Sequence, residues 1–260
     1  EASVGGGIPI IRSFKVGYSA NQIQSLYGIL NGTTNYILTK IQEDGKEFDE
    51  ALKEAQELGF AESDPTMDVN GLDAAYKLVI LAAVAFKVDI QVDSVHYQGI
   101  EQVSLTDMTY ANELGYTIKL IATGNRGEDG AMSFQVAPIL VPMAHPLASV
   151  RNEFNAIFSI GNAVGESMIY GKGAGSFPTG SAVVSDLMDI AFDIGHRLPG
   201  KRNLEEGLST VAIKPKSESQ TQFYLRLSLK DELGALEKVM SILGEHGMSV
   251  LNMLQKEVKD

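Results

Sequence analysis

Between residues 95 and 169 the chain consists mainly of segments in which apolar and polar residues alternate, the pattern of half-buried β-strands. The segments that show it are residues 97–103, 117–123, 132–140, 156–160 and 164–170. The last two are joined by Gly161-Asn162, which is typical of a hairpin turn, and a helical turn near residues 106–114 interrupts the series. Many strands with few helices among them indicate an α+β fold, in which a mixed or antiparallel sheet is covered by helices on one face.

The first ninety residues supply most of the expected helices. Helices are predicted near residues 8–16 and at residues 47–58, and Gly59 ends the second of them. A strand at residues 22–28 leads into a helix at residues 35–43, which Thr33 or Thr34 can cap. The glycine-containing turn before this helix offers free backbone N–H groups to an anion, although a capped turn without any ligand has the same pattern.

The composition excludes several classes of protein. The 260 residues carry a formal net charge of −12 with no Lys/Arg cluster, which argues against a nucleic-acid binder. The absence of cysteine excludes disulfides, thiolate catalysis and Cys-based zinc sites, and it fits a reducing cytoplasm. The longest apolar run, residues 78–86, is far shorter than the roughly 20 residues that span a membrane. No signal peptide is evident, and because the chain begins EASVGGG we expect a fragment or a chain whose front has been removed.

A carboxylate-rich stretch at residues 55–77, AQELGFAESDPTMDVNGLDAAYK, separates two predicted helices. Asp73 and Lys77 stand four residues apart and therefore share one face of the second helix, which is apolar on all other sides to about residue 86. Three further carboxylates upstream could fold back towards this face: Glu62, Asp64 and Asp68. An ammonium held beside several carboxylates can bind a zwitterionic substrate and move protons. A solvated acidic loop with one ordinary helix ion pair has the same spacing.

The same stretch resembles the signature of the homoserine dehydrogenase family. Its fixed positions all match, and they are Ala55, Gly59, Asp64-Pro65, Asp68, Gly71, Asp73 and Lys77. A second hallmark of the family, GILNGTTNYI, stands at residues 28–37, where it is expected to line the substrate pocket. The resemblance covers nearly the whole chain. It implies an enzyme of threonine and methionine biosynthesis that interconverts L-homoserine and L-aspartate 4-semialdehyde by hydride transfer with NAD or NADP.

Residue roles follow from the resemblance by position. Lys77 is expected to donate or accept the proton at the substrate oxygen, while Glu62 and Asp73 hold the substrate. In the loop GKGAGSFP at residues 171–178, Gly175 matches the family's contact to the cofactor. The family's nucleotide-binding domain has no counterpart in these residues, so we expect the chain by itself to bind NAD(P) weakly and to be inactive.

The glycine-rich start of the chain is expected to lie at the entry to the catalytic domain. By resemblance it places a monovalent cation such as Na⁺, and the matching ligands are the backbone oxygens of Glu1, Val4, Gly6 and Ile8. A glycine turn that joins a strand to the following helix explains the segment without any ion. A dinucleotide-binding loop is not favoured, because the G-x-G-x-x-G pattern and a preceding strand are missing.

The chain changes character near residue 200, which predicts a catalytic and dimerisation domain at residues 1–200 and a polar linker at residues 201–220. Residues 221–260 resemble the first half of an ACT regulatory domain, with strands at 221–229 and 248–254 around one helix. In that family the loop matching residues 231–236 binds small amino acids, so threonine is an expected effector and a homodimer the expected assembly. A non-catalytic amino-acid-sensing module and a dimerisation scaffold without a site are the alternative functions.

Overall fold

The computed structural model of this chain describes residues 1–198, 207–215, 221–230 and 232–256. The helices in these ranges are α1 (Ile10–Arg12), α2 (Gly32–Asp44), α3 (Phe48–Glu57), α4 (Thr66–Val69), α5 (Leu72–Leu81), α6 (Leu105–Glu113), α7 (Ser176–Gly195) and α8 (Ala235–Glu245). The strands are β1 (Ile23–Ile29), β2 (His96–Tyr97), β3 (Tyr116–Arg126), β4 (Met132–Pro142), β5 (Phe154–Gly161) and β6 (Gly165–Lys172). None of these helices is long and apolar enough to cross a membrane.

The six strands form one sheet in the order β2-β4-β3-β1-β5-β6. Every neighbouring pair is antiparallel except β2 with β4, which is parallel, so the sheet is mixed. The predicted hairpin between β5 and β6 is present and pairs Gly161 with Gly165. The prediction of an α+β fold built on a mixed sheet is therefore confirmed.

Helices α2 and α5 cover one face of the sheet and build the main core. Both contact β3, whose Leu120 and Ala122 are buried in this core. Ile121 lies between them and points to the opposite face, where a smaller apolar cluster forms under the short 3-10 turn Pro146–Ser149. On this face the start of α2 lies near the start of α5, since the side chain of Asn31, directly before α2, contacts Asp73 in the first turn of α5.

Two local predictions are wrong. The strand predicted at residues 97–103 is limited to His96–Tyr97, because the chain then leaves the sheet towards α4. Ile100 N donates to Val69 O at 2.8 Å, and a side chain at Gly99 would collide with the same carbonyl. The cap of α2 is Asn31 rather than Thr33 or Thr34, both of which lie inside the helix. Asn31 has the extended backbone that an N-cap requires, and asparagine is among the preferred residues there.

The C-terminal region contains the predicted helix, α8, but neither of the predicted strands as a hydrogen-bonded strand within the described residues. A strand requires a partner for its backbone groups. In residues 221–230 the side chains of Tyr224 and Arg226 instead reach Asp107 in α6. The effector loop is described only in part, because residue 231 lies outside the described residues.

Part of the predicted linker is attached to the sheet. Residues 201–206 and 216–220 lie outside the described residues, whereas residues 207–215 run beside the start of β4. Met132 N donates to Ala212 O at 2.9 Å, and Lys214 N donates to Met132 O at 2.8 Å. Ser209 also forms an isolated parallel β-bridge with Val88. The domain boundaries at residues 200 and 220 remain predictions.

Candidate active site

Asn31 connects the end of β1 to the start of α2 and is almost fully buried. Its side-chain oxygen Oδ1 accepts a hydrogen bond from Thr34 N at 2.9 Å, which satisfies one of the free N–H groups of the first helical turn. Its side-chain nitrogen Nδ2 donates to Asp68 Oδ1 at 2.7 Å and to Asp73 Oδ2 at 2.9 Å. One amide therefore joins the helix start to two carboxylates from the carboxylate-rich stretch.

Lys77 contacts one of these two carboxylates, Asp73, as the four-residue spacing in the sequence predicted. Its Nζ donates to Asp73 Oδ2 at 2.6 Å and to the backbone oxygen of Leu30 at 3.1 Å. The side chains of Lys77 and Asp73 are 24% and 29% exposed, so both are accessible from solvent while being held by the fold. Since an ammonium group has three N–H donors, these two bonds leave a third for a ligand.

The backbone at the start of α5 places Asp73 in the first helical turn. Gly71 has φ +88°, and a Cβ there would lie 3.2 Å from Gln98 O, so a side chain would be both strained and crowded. Asn70 Oδ1 accepts from Leu72 N at 2.9 Å and supports the turn. A carboxylate in the first turn also interacts favourably with the helix dipole.

Of the three carboxylates that were expected to fold back towards Lys77, Asp64 and Glu62 do not join this cluster. Asp64 accepts hydrogen bonds from the Thr66 hydroxyl at 2.6 Å and the Thr66 N–H at 3.1 Å, and these bonds hold the pKa of Asp64 below its ordinary value. Glu62 is exposed, and among the described residues its carboxylate makes no hydrogen bond or ion pair. The Glu62 backbone oxygen accepts from Gln56 Nε2 at 3.0 Å. Asp64 therefore stabilises the turn at Thr66, and the carboxylate of Glu62 is exposed to solvent.

The two glycine-rich loops, which the sequence presented as separate motifs, lie against each other. Gly7 N donates to Lys172 O at 3.0 Å, and a side chain at Gly6 would collide with the Gly173 carbonyl. Gly175 precedes α7 with φ +109°, a conformation that strongly favours glycine, and it is exposed. The start of α7 therefore presents backbone N–H groups to solvent next to the first glycine loop.

The four residues predicted to bind a monovalent cation lie in one turn of the chain. Val4, Gly6 and Ile8 are buried, and Glu1 is half-buried. The Ile8 oxygen accepts a hydrogen bond from Ile10 N at 2.7 Å, which leaves one of its lone pairs unused. The Glu1 carboxylate accepts from Ile11 N at 2.8 Å, so its side chain caps α1. The described residues contain no group of three His, Cys, Asp or Glu side chains that could hold a metal ion.

Comparison with known proteins identifies the family. A model of the homoserine dehydrogenase family matches residues 9–188, which include α2, α5 and every strand of the sheet. This chain belongs to the homoserine dehydrogenase family. The homoserine dehydrogenase of Bacillus subtilis is 44% identical over 260 residues, which cover 100% of this chain and 59% of that protein. The enzyme of Pseudomonas aeruginosa is 42% identical over 264 residues, with 61% of its length covered.

Solved structures of homoserine dehydrogenases agree with this assignment. The crystal structure of the enzyme from Thiobacillus denitrificans superposes with a TM-score of 0.93 at 42% identity, over 98% of this chain and 60% of that one. A hyperthermophilic archaeal homoserine dehydrogenase, solved in complex with NADPH, superposes with a TM-score of 0.62 at 29% identity, over 76% of this chain and 56% of that one. The chain thus spans about 60% of the length of these relatives.

A buried lysine of this chain was not among the sequence candidates. Lys119 on β3 is 2% exposed, and its Nζ donates to Val150 O at 2.6 Å and to Asn35 Oδ1 at 3.1 Å. Burial lowers the pKa of Lys119 to about 8; the charge of Glu43 acts in the opposite direction, and that of Arg151 lowers the pKa further. The only signal in the sequence was a lysine within the otherwise apolar segment TIKLIAT.

A second polar cluster links the C-terminal region to helix α6. Asp107 completes a capping box with Ser104 at the start of α6. The same carboxylate accepts from the Tyr224 hydroxyl at 3.0 Å and pairs with Arg226 Nε at 2.8 Å. Burial acts to raise the pKa of Asp107, but the hydrogen bonds from Ser104 and Tyr224 and the charge of Arg226 outweigh it and lower the pKa. Burial and the bond to Asp107 raise the pKa of Tyr224 to about 12.

Proposed function

We propose that this chain is the substrate-binding and catalytic part of an NAD(P)-dependent enzyme that interconverts L-homoserine and L-aspartate 4-semialdehyde, in the synthesis of threonine and methionine. The observation that carries the proposal is the contact of Lys77 with Asp73 within α5, next to Leu30 at the end of β1, in a chain of the homoserine dehydrogenase family. A free ammonium donor beside a carboxylate suits a substrate that carries both an α-ammonium group and a reacting oxygen.

In this proposal Lys77 moves the proton at the oxygen on C4 of the substrate. When the aldehyde is reduced, the ammonium donates a proton to the oxygen as the C–O bond becomes single, and in the reverse direction Lys77 accepts the hydroxyl proton. Asp73 and Glu62 bind the α-ammonium group. Since the carboxylate of Glu62 is exposed and makes no hydrogen bond or ion pair among the described residues, it is available to a ligand that enters from solvent.

The cofactor supplies or accepts the hydride at C4. The residue proposed to contact the cofactor is Gly175, which is exposed and directly precedes α7. Because glycine has no side chain, the cofactor can come close to the backbone at this position. The complex of the archaeal relative with NADPH supports a nicotinamide cofactor for the family. Following the reduction of NAD and of NADP separately in the presence of L-homoserine distinguishes the two cofactors.

Three further assignments are proposed on the family relation. A monovalent cation such as Na⁺ binds the backbone oxygens of Glu1, Val4, Gly6 and Ile8, which suit a hard cation. Residues 1–200 form the catalytic domain, residues 201–220 a linker and residues 221–260 the first part of an ACT domain whose effector is threonine. The protein works in the cytoplasm.

A homodimer is proposed because one side of the chain exposes many apolar side chains. On β6 these are Met168 and Tyr170, which are 36% and 51% exposed, and on α7 they include Phe177 at 90% and Ile194 at 73%. Exposed apolar patches of this kind mark interaction surfaces. Strand β6 is also an edge of the sheet, whose unpaired backbone groups can be covered by a second copy.

The proposal is tested by titrating the 260-residue chain with L-homoserine and L-threonine in a calorimeter, and by following reduction of NAD and NADP in the presence of L-homoserine. We expect L-homoserine to bind and the Lys77→Met variant to bind it with altered affinity, while turnover appears only in the full-length protein. A chain that binds L-threonine but not L-homoserine would support the amino-acid-sensing alternative. Full turnover by the isolated chain would place the whole cofactor site within these residues.

A further inference from the structure

We infer that Asn31 is a positioning residue for the proposed reaction, and that it orients Asp73, and through Asp73 the ammonium group of Lys77. This inference rests on the proposed function of the Lys77 cluster. Its basis is the position of one buried amide between the start of α2 and two carboxylates, Asp68 and Asp73.

A helix cap by itself does not need an amide. The Oδ1 atom of Asn31 performs the capping, and serine, threonine or aspartate could do the same. The Nδ2 atom of Asn31 adds two donated bonds, to Asp68 Oδ1 at 2.7 Å and to Asp73 Oδ2 at 2.9 Å. Among residues of this length, only asparagine accepts a bond from the helix backbone while donating to two carboxylates.

These bonds control which atoms remain available to a substrate. Asp73 Oδ2 accepts from both Asn31 Nδ2 and Lys77 Nζ, whereas no described group donates to Asp73 Oδ1. Lys77 Nζ is likewise held by two acceptors, Asp73 and the Leu30 oxygen, which leaves one N–H for a ligand. Asn31 thus fixes one carboxylate oxygen and leaves the other free beside the free donor of Lys77.

The amide also keeps two like charges close together. Asp68 and Asp73 both contact the same nitrogen atom, so their carboxylates repel each other at short range unless a donor lies between them. Without the Nδ2 donor we expect the two carboxylates to separate, and Asp73 to change its orientation relative to Lys77. A displacement of about 1 Å in a catalytic group can reduce turnover by about 100-fold.

The test compares three variants of the full-length protein. Asn31→Ser keeps a good helix cap but removes both donors, and Asn31→Asp keeps the size and the cap but adds a third negative charge. Thr39→Val is the matched control, because Thr39 lies in the same helix as Asn35 and does not contact the cluster. The substitution removes the bond to Asn35 O and the bond from Asn152 N, which lies outside the helix. Melting temperatures are measured beside the kinetics of each variant.

We expect Asn31→Ser to lower kcat/KM for L-homoserine by about 10- to 100-fold while the KM for the nicotinamide cofactor stays unchanged. Asn31→Asp is expected to be more impaired, although it melts as a folded protein. Thr39→Val is expected to melt at a lower temperature with unchanged kinetic constants. Wild-type kinetics in Asn31→Ser, or a loss of kcat/KM in Thr39→Val, would overturn the inference.

If the proposed function is wrong, the wild-type protein will not oxidise L-homoserine, and this result is distinct from an effect of the Asn31 variants. In that case a crystal structure of Asn31→Ser still decides whether Asn31 positions the cluster. The inference requires that Lys77 Nζ and Asp73 Oδ2, which are 2.6 Å apart in the wild-type chain, separate or rotate in the variant. An unchanged contact in that structure contradicts it.

Discussion

Lys119 gives this fold a pH dependence that a single substitution isolates. The lysine is 2% exposed, and its burial lowers its pKa from the ordinary value of 10.5 to about 8. Between about pH 8 and pH 10.5, the two pKa values, Lys119 is largely protonated in the unfolded chain and largely neutral in the folded chain. Because the unfolded state binds more protons there, raising the pH stabilises the folded state.

The size of the effect follows from the difference between the two pKa values. At about 1.4 kcal/mol for each pH unit, Lys119 contributes a gain of about 3 kcal/mol in the free energy of unfolding as the pH rises from about 7.5 to about 10.5. The Lys119→Met variant keeps most of the side-chain volume and has no titrating group at this position. The gain is therefore expected in the wild type and absent in the variant.

The assay is urea unfolding of both proteins at several pH values across this range, with the difference in unfolding free energy plotted against pH. Groups that titrate in both proteins, such as the tyrosines, cancel in the difference. Lys53→Met is the matched control, since the Lys53 side chain is 78% exposed and its removal is expected to leave the slope unchanged. A constant difference between wild type and Lys119→Met over the whole range would refute the reasoning.

Two other substitutions test contacts between distant parts of the chain. Gly6→Ala should lower the melting temperature by several degrees, because the new Cβ would collide with the Gly173 carbonyl and the φ of residue 6 is +48°. Gly17→Ala is the control, since a Cβ at Gly17 meets open space and the melting temperature should not change. Equal melting temperatures for the two variants would contradict the contact between Gly6 and Gly173. Arg226→Gln should speed proteolysis of residues 207–256, because it removes the ion pair with Asp107 without disturbing the α6 cap; an unchanged cleavage rate would mean that the pair does not hold the segment.

Patterns that depend on neighbouring residues were readable from the sequence. Alternation predicted β3, β4, β5 and β6, and Gly161-Asn162 predicted the hairpin between the last two. The four-residue spacing of Asp73 and Lys77 predicted their contact, because an α-helix places such residues on one face.

Features that depend on contacts between remote segments were not readable. The strand predicted at residues 97–103 fails because the close approach to Val69 draws the chain out of the sheet, which its own alternation does not reveal. Asn31 carries no signal of its contact with Asp68 and Asp73, which lie about 40 positions further along the chain. The buried ammonium group of Lys119 donates to the backbone oxygen of Val150, which lies 31 positions further along the chain and gives no signal of this contact in the sequence.

We propose that Lys77 carries the proton in an NAD(P)-dependent oxidation of L-homoserine. The most direct measurement compares the full-length wild type with Lys77→Met, by following the absorbance of the reduced cofactor at saturating L-homoserine. We predict a rate at least about 100-fold lower for the variant, with an unchanged melting profile, because general acid–base catalysis contributes about 100- to 10,000-fold. A folded Lys77→Met enzyme that oxidises L-homoserine at the wild-type rate would contradict the account.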